Sequence, residues 1–276
     1  MSIVTLITDW GTNGSYVGAM KGKILSLDQN LSVVDIANDI KPFDKIHAAY
    51  VLRNCYRIFP KGTIHILAVG GNFENIKSEY IAFAHNDYYF IGKNDGMWGL
   101  VFDEIPQGIS SYSTEEISTH DGFPELSIFP SIINTITTTQ SVSDIGKPLK
   151  KLFIRNRQLP TVNQNIIIGE IIFFDNYGNA VTNISIEEFN RINNNRNCKI
   201  HIASLKNIIY HINESYEQTE RGELLAIWGY SGFLEIAIAN GSAKELLNLS
   251  VSNSVRITFI DVNDNSIPPI GKSTLF

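Results

Sequence analysis

The chain has 276 residues, of which 43% are hydrophobic and 18% charged, and it carries a net charge of −6 at neutral pH. That hydrophobic content excludes a disordered chain, and 22 basic residues spread without a Lys/Arg block exclude the concentrated positive face of a nucleic-acid binder. Only Cys55 and Cys198 occur, too few and too far apart for a disulfide framework or a zinc cluster, so both are expected as buried thiols and no metal is expected. No apolar run approaches the ~20 residues of a membrane helix, and residues 1–6 enter a strand-like pattern without a basic leader, which makes the cytoplasm the expected address and a membrane partner unexpected.

The length exceeds the roughly 100–150 residues of one domain, so two domains are expected. From residue 3 to about 151, β-rich runs at 3–8, 33–36, 63–69, 80–84 and 88–91 alternate with helical stretches at 16–27 and 44–59. Such alternation predicts an α/β domain over 1–153, with a largely parallel sheet and helices on both faces. Asp44, two residues after Pro42, suits the N-cap of the second helix, and Pro60-Lys61-Gly62 stops it. Residues 154–165 lack periodicity and read as a linker. Beyond them, short runs at 166–174, 179–184, 199–203, 207–211, 223–228, 233–238 and 254–260 predict an all-β, barrel-like domain over 166–276. One short helix is expected at 242–247, and the Asn-rich stretch 190–197 is expected as a loop between strands.

Four segments carry polar groups suited to a ligand. Thr8-Asp9-Trp10-Gly11 places a carboxylate directly after a buried strand, where open α/β sheets bind ligands and where an ionised Asp can accept both hydroxyls of a ribose; a cap or turn Asp is the plain alternative. Gly92-Lys93-Asn94-Asp95-Gly96 is an active-site loop or simply a turn. Between Phe174 and Ile184, Asp175 suits an ammonium group, Tyr177 can stack on a base and the Asn179 amide can read an adenine edge, while a strand-turn-strand explains the same residues. Trp228-Gly229-Tyr230-Ser231-Gly232 is a hairpin turn whose N–H groups and Ser231 hydroxyl suit a carboxylate, and a plain hairpin is the alternative.

Taken together and in this order, these segments resemble the S-adenosylmethionine hydroxide adenosyltransferase family, relatives of the fluorinase and chlorinase. The anchors are Thr8-Asp9-Trp10-Gly11, Tyr16-Val17-Gly18, Met20-Lys21-Gly22, Val34-Asp35-Ile36, Ile40-Lys41-Pro42-Phe43-Asp44, Phe59-Pro60-Lys61-Gly62-Thr63-Ile64-His65, Asn94-Asp95-Gly96, and the runs 175–184 and 231–241. The resemblance implies an adenosyl ligand, S-adenosylmethionine as substrate with no further cofactor, and a homotrimer with sites between subunits. It also implies roles: Asp9 on the ribose diol, Phe43 over the ribose, Asn94 in the site loop, Tyr177 and Tyr216 about adenine, Asn179 on its edge, Asp175 on the methionine ammonium, and Tyr230 with Ser231 on the carboxylate.

The sequence departs from the hydroxide-type pattern where an Asp, an Arg and a His orient water. Gly70 stands at the Asp position, Lys77 at the Arg position and Phe123-Pro124 near the His position, with His120 a few residues earlier; Asn38 replaces the family's His after the second strand. Lys77 keeps the charge without the bidentate fork. Lys77 and His120 are therefore the candidate catalytic groups, with Glu74 and Asn94 as further substitutes. The stretch 78–89 lacks the insertion of the halogenases. Hydrolysis of S-adenosylmethionine to adenosine and methionine is the first expectation, and a catalytically silent adenosyl-ligand binder or sensor is the alternative.

Overall fold

The computed structural model describes residues 2–70, 79–112 and 122–260. The chain divides into two compact units, Met1–Arg157 and Gln158–Phe276. No helix among the described residues is long and apolar enough to cross a membrane.

In the first unit the elements run β1 (Ile3–Thr8), α1 (Tyr16–Leu27), β2 (Ser32–Ala37), α2 (Lys45–Cys55), β3 (Ile64–Ala68), β4 (Tyr80–His85), β5 (Tyr88–Lys93), α3 (Trp98–Val101), β6 (Ser110–Tyr112), α4 (Glu125–Thr139) and β7 (Gly146–Pro148). They form a seven-stranded sheet of order β2-β1-β3-β5-β4-β6-β7. The pairings β2/β1, β1/β3 and β3/β5 are parallel, whereas β4, β6 and β7 join by antiparallel pairings. The expected largely parallel sheet is thus corrected to a mixed one. The two residues between β4 and β5, Asn86 and Asp87, both have positive φ (52° and 66°), which suits a tight hairpin and makes that pair antiparallel.

Helices cover both faces. On one, Val17, Met20 and Ile24 of α1 meet Ile128, Ile132 and Ile136 of α4; on the other, Ala48, Ala49 and Leu52 of α2 share a core with Trp98 of α3. Each fully buried isoleucine here contributes roughly 1.5–3 kcal/mol. Helix α4 is absent from the sequence expectation because its threonines, isoleucines and internal Pro130 are weak helix formers. Packing of its i, i+4 isoleucine stripe decides the helix. The second expected helix ends earlier than 59, with a 3₁₀ turn at Tyr56–Ile58, and Asp44 caps it by accepting from the His47 N–H at 3.0 Å. Cys55 is half-buried rather than buried, while Cys198 is buried.

The second unit comprises β8 (Thr161–Val162), β9 (Ile166–Phe174), β10 (Ala180–Ser185), α5 (Ile186–Asn193), β11 (Asn197–Ile202), β12 (Ser204–Ile209), β13 (Ile212–Asn213), β14 (Leu224–Trp228), β15 (Phe233–Ile238), α6 (Ala243–Leu246) and β16 (Ser254–Ile260). A nine-stranded, barrel-like sheet runs β12-β11-β16-β9-β10-β15-β14-β13, with β8 beside β9. Alternate residues fill it: Leu234, Ile236 and Ile238 of β15 face the same core as Ile167, Ile171, Ile200 and Ile257. The stretch 190–197 is not a loop throughout, since α5 runs to Asn193 and β11 begins at Asn197. Its readable signal is a capping box, with the Ser185 side chain accepting from the Glu188 N–H and the Glu188 carboxylate accepting from the Ser185 N–H.

Candidate functional site

In the first unit the candidate groups gather at the carboxyl ends of the parallel strands. Asp9 follows β1, and its Oδ2 accepts the backbone N–H groups of Phe43 and Gly70, each at 3.0 Å. One carboxylate oxygen thereby ties the entry to α2 and the end of β3 to the end of β1. Among the described residues no donor reaches the other oxygen. Phe43 pays for its place: φ is 69°, unusual for an aromatic residue, and the ring is 68% exposed. A Cβ at Gly70 would lie 3.2 Å from the Phe43 ring and 3.3 Å from Asp9 Oδ2, so glycine permits this close approach.

Behind Asp9, the Thr8 hydroxyl donates to Asn38 Oδ1 at 2.9 Å and the Gly11 N–H to the Asn38 carbonyl at 2.8 Å. The Asn38 Nδ2 is buried and has no partner among the described residues. Phe123 packs on Trp10 and Tyr16, with ring centroids 4.9 and 4.6 Å apart, so an apolar cluster fills the place next to Asp9.

Asn94 directly follows β5. It is buried, its Nδ2 donates to the Lys151 carbonyl at 2.9 Å and its Oδ1 accepts the Phe153 N–H at 2.8 Å, which clamps residues 151–153 onto the end of β5. Asp95 is also buried; it pairs with Lys45 Nζ at 2.5 Å and caps the Met97 N–H at 3.2 Å. Burial raises the Asp95 pKa, and Lys45 opposes that rise. At the same edge, Glu125 Oε1 accepts from Lys93 at 3.0 Å and from the Tyr80 hydroxyl at 2.8 Å. The sequence reading missed both ion pairs, because partners 32 to 50 positions apart leave no local signal. Lys77, His120 and Glu74 lie outside the described residues.

In the second unit the β9–β10 turn builds the site. Asp175 Oδ1 accepts the N–H groups of Tyr177 and Asn179, and Oδ2 accepts Asn179 Nδ2, all at 2.9 Å. Gly178 has φ 79°, and a Cβ there would fall 2.2 Å from the Ser242 hydroxyl, so the turn requires glycine. With its Nδ2 fixed, Asn179 keeps an amide oxygen that no donor reaches among the described residues. Asp175, Tyr177, Asn179 and Tyr216 line a cavity of about 710 Å³ together with Arg221 and Asn240. Tyr177 is 80% exposed. Such a volume lies within the ~300–1,000 Å³ of small-molecule sites. Tyr230 and Ser231 occupy the β14–β15 turn, closed by a 2.9 Å bond from the Gly229 N–H to the Phe233 carbonyl, and neither lines this cavity.

The model of the SAM hydroxide adenosyltransferase N-terminal domain matches residues 4–146, and that of the C-terminal domain matches residues 169–256. The chain belongs to this family. Among relatives of this SAM hydroxide adenosyltransferase family member, the (R)-S-adenosyl-L-methionine hydrolase of Methanocaldococcus jannaschii is 26% identical over 267 residues, covering 94% of this chain and 97% of the relative. A protein of the same name from Thermus thermophilus is 21% identical over 277 residues, covering 93% of this chain and all of the relative. A crystal structure of an uncharacterised conserved protein from Thermotoga maritima superposes with a TM-score of 0.81 at 23% identity, over 94% of this chain and all of that one, which shows a shared fold.

Proposed function

We propose that this family member binds S-adenosylmethionine and hydrolyses it to adenosine and methionine. The observation that carries the reading is the Asp175–Asn179 turn: with the exposed rings of Tyr177 and Tyr216 it lines a cavity of about 710 Å³, and its fixed Nδ2 leaves the Asn179 amide oxygen as an acceptor suited to a flat base with an exocyclic amino group. Asp9 would take the ribose hydroxyls on its remaining oxygen, with Phe43 over the sugar. Asp175 would face the ammonium of the methionine, and Tyr230 and Ser231 its carboxylate. In the reaction a water oxygen bonds to the ribose 5′ carbon as the carbon–sulfur bond breaks, its electron pair returning to sulfur. The sulfonium becomes the neutral thioether of methionine, and the positive charge leaves as a proton from the attacking water. Fixed dipoles in a dry pocket favour that displacement. Lys77 and His120 are the proposed water-handling groups, and Asn94 serves the site by holding the loop behind it. We further propose a homotrimer in the cytoplasm, with each ligand gathered by two copies of the chain.

A second reading is favoured by Gly70 and by the Phe123 ring packed on Trp10 and Tyr16, which put no titratable side chain at either position. In that reading the protein is a silent adenosyl-ligand binder. Incubating purified protein with S-adenosylmethionine, with adenosine and methionine followed by chromatography and binding by calorimetry, separates the two. Protein-dependent adenosine together with methionine supports hydrolysis. Binding without turnover selects the silent binder, and absence of both rejects the adenosyl reading.

A further inference from the structure

Glu235 belongs to no role described so far. It lies on β15 between Leu234 and Ile236, which face the barrel core, so its side chain projects to the opposite face, alongside Ala237. On that face Leu225, Ile227, Ala237 and Ala239 form a small buried apolar cluster. Its register neighbours are Val181 and Ile227. A half-buried carboxylate in such surroundings is costly unless something uses it. Among the described residues no cation pairs with Glu235; its Oε2 accepts the Tyr216 hydroxyl at 3.1 Å. Its other oxygen packs on the backbone of Gly229, where an added Cβ would come within 1.9 Å of Oε1. The carboxylate is therefore wedged from one side by a glycine and engaged on the other by one phenol.

Tyr216 needs that contact. It sits in the 3₁₀ turn Tyr216–Gln218, 41% exposed, and its ring lines the same cavity as Asp175, Tyr177 and Asn179. A partly exposed ring on a one-turn helix is free to change rotamer unless its far end is tied.

We propose that Glu235 is a positioning residue: by holding the Tyr216 hydroxyl it sets the ring of Tyr216 as a fixed wall of the cavity, and so acts on ligand affinity without touching the ligand. The inference rests on the adenosyl reading above. The surroundings agree with it. Burial, and the charge of Asp175 nearby, raise the Glu235 pKa, and the Tyr216 hydrogen bond opposes that rise; the Tyr216 phenol is raised in turn by burial and by Glu235. A carboxylate kept beside a second carboxylate, with a phenol as its partner, marks a local arrangement that stability alone does not favour.

The test is a double-mutant cycle read by calorimetric titration with adenosine and with S-adenosylmethionine. Tyr216→Phe keeps the ring and removes only its tether, and the substitution is at an exposed position that leaves folding intact. Tyr216→Phe and Glu235→Ala are each expected to weaken adenosine binding about tenfold, and the double variant to be no weaker than either, since both break one bond. Glu235→Gln, whose amide oxygen still accepts from the phenol, is expected to stay within about twofold of the wild type. Wild-type affinity in Tyr216→Phe and Glu235→Ala would overturn the inference while leaving the adenosyl reading intact. A loss in Glu235→Gln equal to that in Glu235→Ala would also overturn it, because charge rather than position would then be the cause. If the wild type binds neither probe, the adenosyl reading fails and the inference falls with it.

Discussion

Asp9 and Asp175 are used in opposite ways. Asp9 reaches across the first unit with one oxygen to the N–H groups of Phe43 and Gly70, 34 and 61 positions away. Asp175 uses both oxygens within a single turn, no further than Asn179. The first holds together the ends of separate strands; the second shapes one hairpin whose residues line a cavity. The same contrast runs through their surroundings, where Lys45–Asp95 and Lys93–Glu125 are long-range and buried or half-buried. A site assembled from distant segments depends on tertiary bonds for its shape, whereas a site built in one turn depends on its own glycine and side chains.

The contrast can be broken most strongly at Asp95. Asp95→Ala removes the buried carboxylate that pairs with the Lys45 ammonium and is expected to cost about 3–5 kcal/mol of unfolding free energy in urea titration. Replacing both partners by apolar residues, as in Lys45→Met with Asp95→Leu, should recover most of that loss. A small effect of Asp95→Ala would mean that the first unit's edge does not rest on its long-range pairs.

Asp9→Ala and Asp175→Ala sharpen the comparison. Each should lower stability by about 1–3 kcal/mol and weaken adenosyl binding. Local amide exchange should then differ: in Asp9→Ala, protection is lost at Phe43 and Gly70, in two separate loops, while in Asp175→Ala it is lost only around 177–179. Unchanged calorimetric affinity in Asp9→Ala would count against its place in the site.

A further expected effect is a pH dependence in the first unit. His65 is fully buried, hydrogen-bonded through Nδ1 to the Thr5 hydroxyl at 2.8 Å and enclosed by Tyr56, Phe59, Tyr88 and Phe90. Burial lowers its pKa to about 4 from 6.5. Between those values the unfolded chain binds the proton and the folded one does not, so stability falls as pH drops from about 6.5 toward 4 and levels off below. The slope from one such group is at most about 1.4 kcal/mol per pH unit. His65→Phe should remove that part of the slope, and parallel urea midpoints for the two proteins across this range would refute the assignment.

Strand patterning was legible wherever a strand buries one or both faces: 3–8, 166–174, 233–238 and 254–260 coincide with β1, β9, β15 and β16. Helix α1 and the Asp44 cap were legible for the same reason, since spacing and capping are local. Helix α4 was not, because its residues favour a helix only when the isoleucine stripe meets α1. Nor was the antiparallel half of the first sheet, which depends on hairpin geometry rather than on the alternation of strand and helix.

For the site, the sequence by itself determined the Asp175-Asn176-Tyr177-Gly178-Asn179 turn, because every bond in it spans at most four residues and glycine supplies the φ of 79°. It also determined that Asp9 ends a buried strand. Only the tertiary structure decided what these groups hold. It bound Asp9 to Phe43 and Gly70, turned Asn94 into a clamp on 151–153, paired Lys45 with Asp95, and set Glu235 against Tyr216. The physical reason is range: backbone propensity and turn chemistry act over a few residues, while hydrogen bonds and ion pairs between strand ends exist only after the sheets have formed.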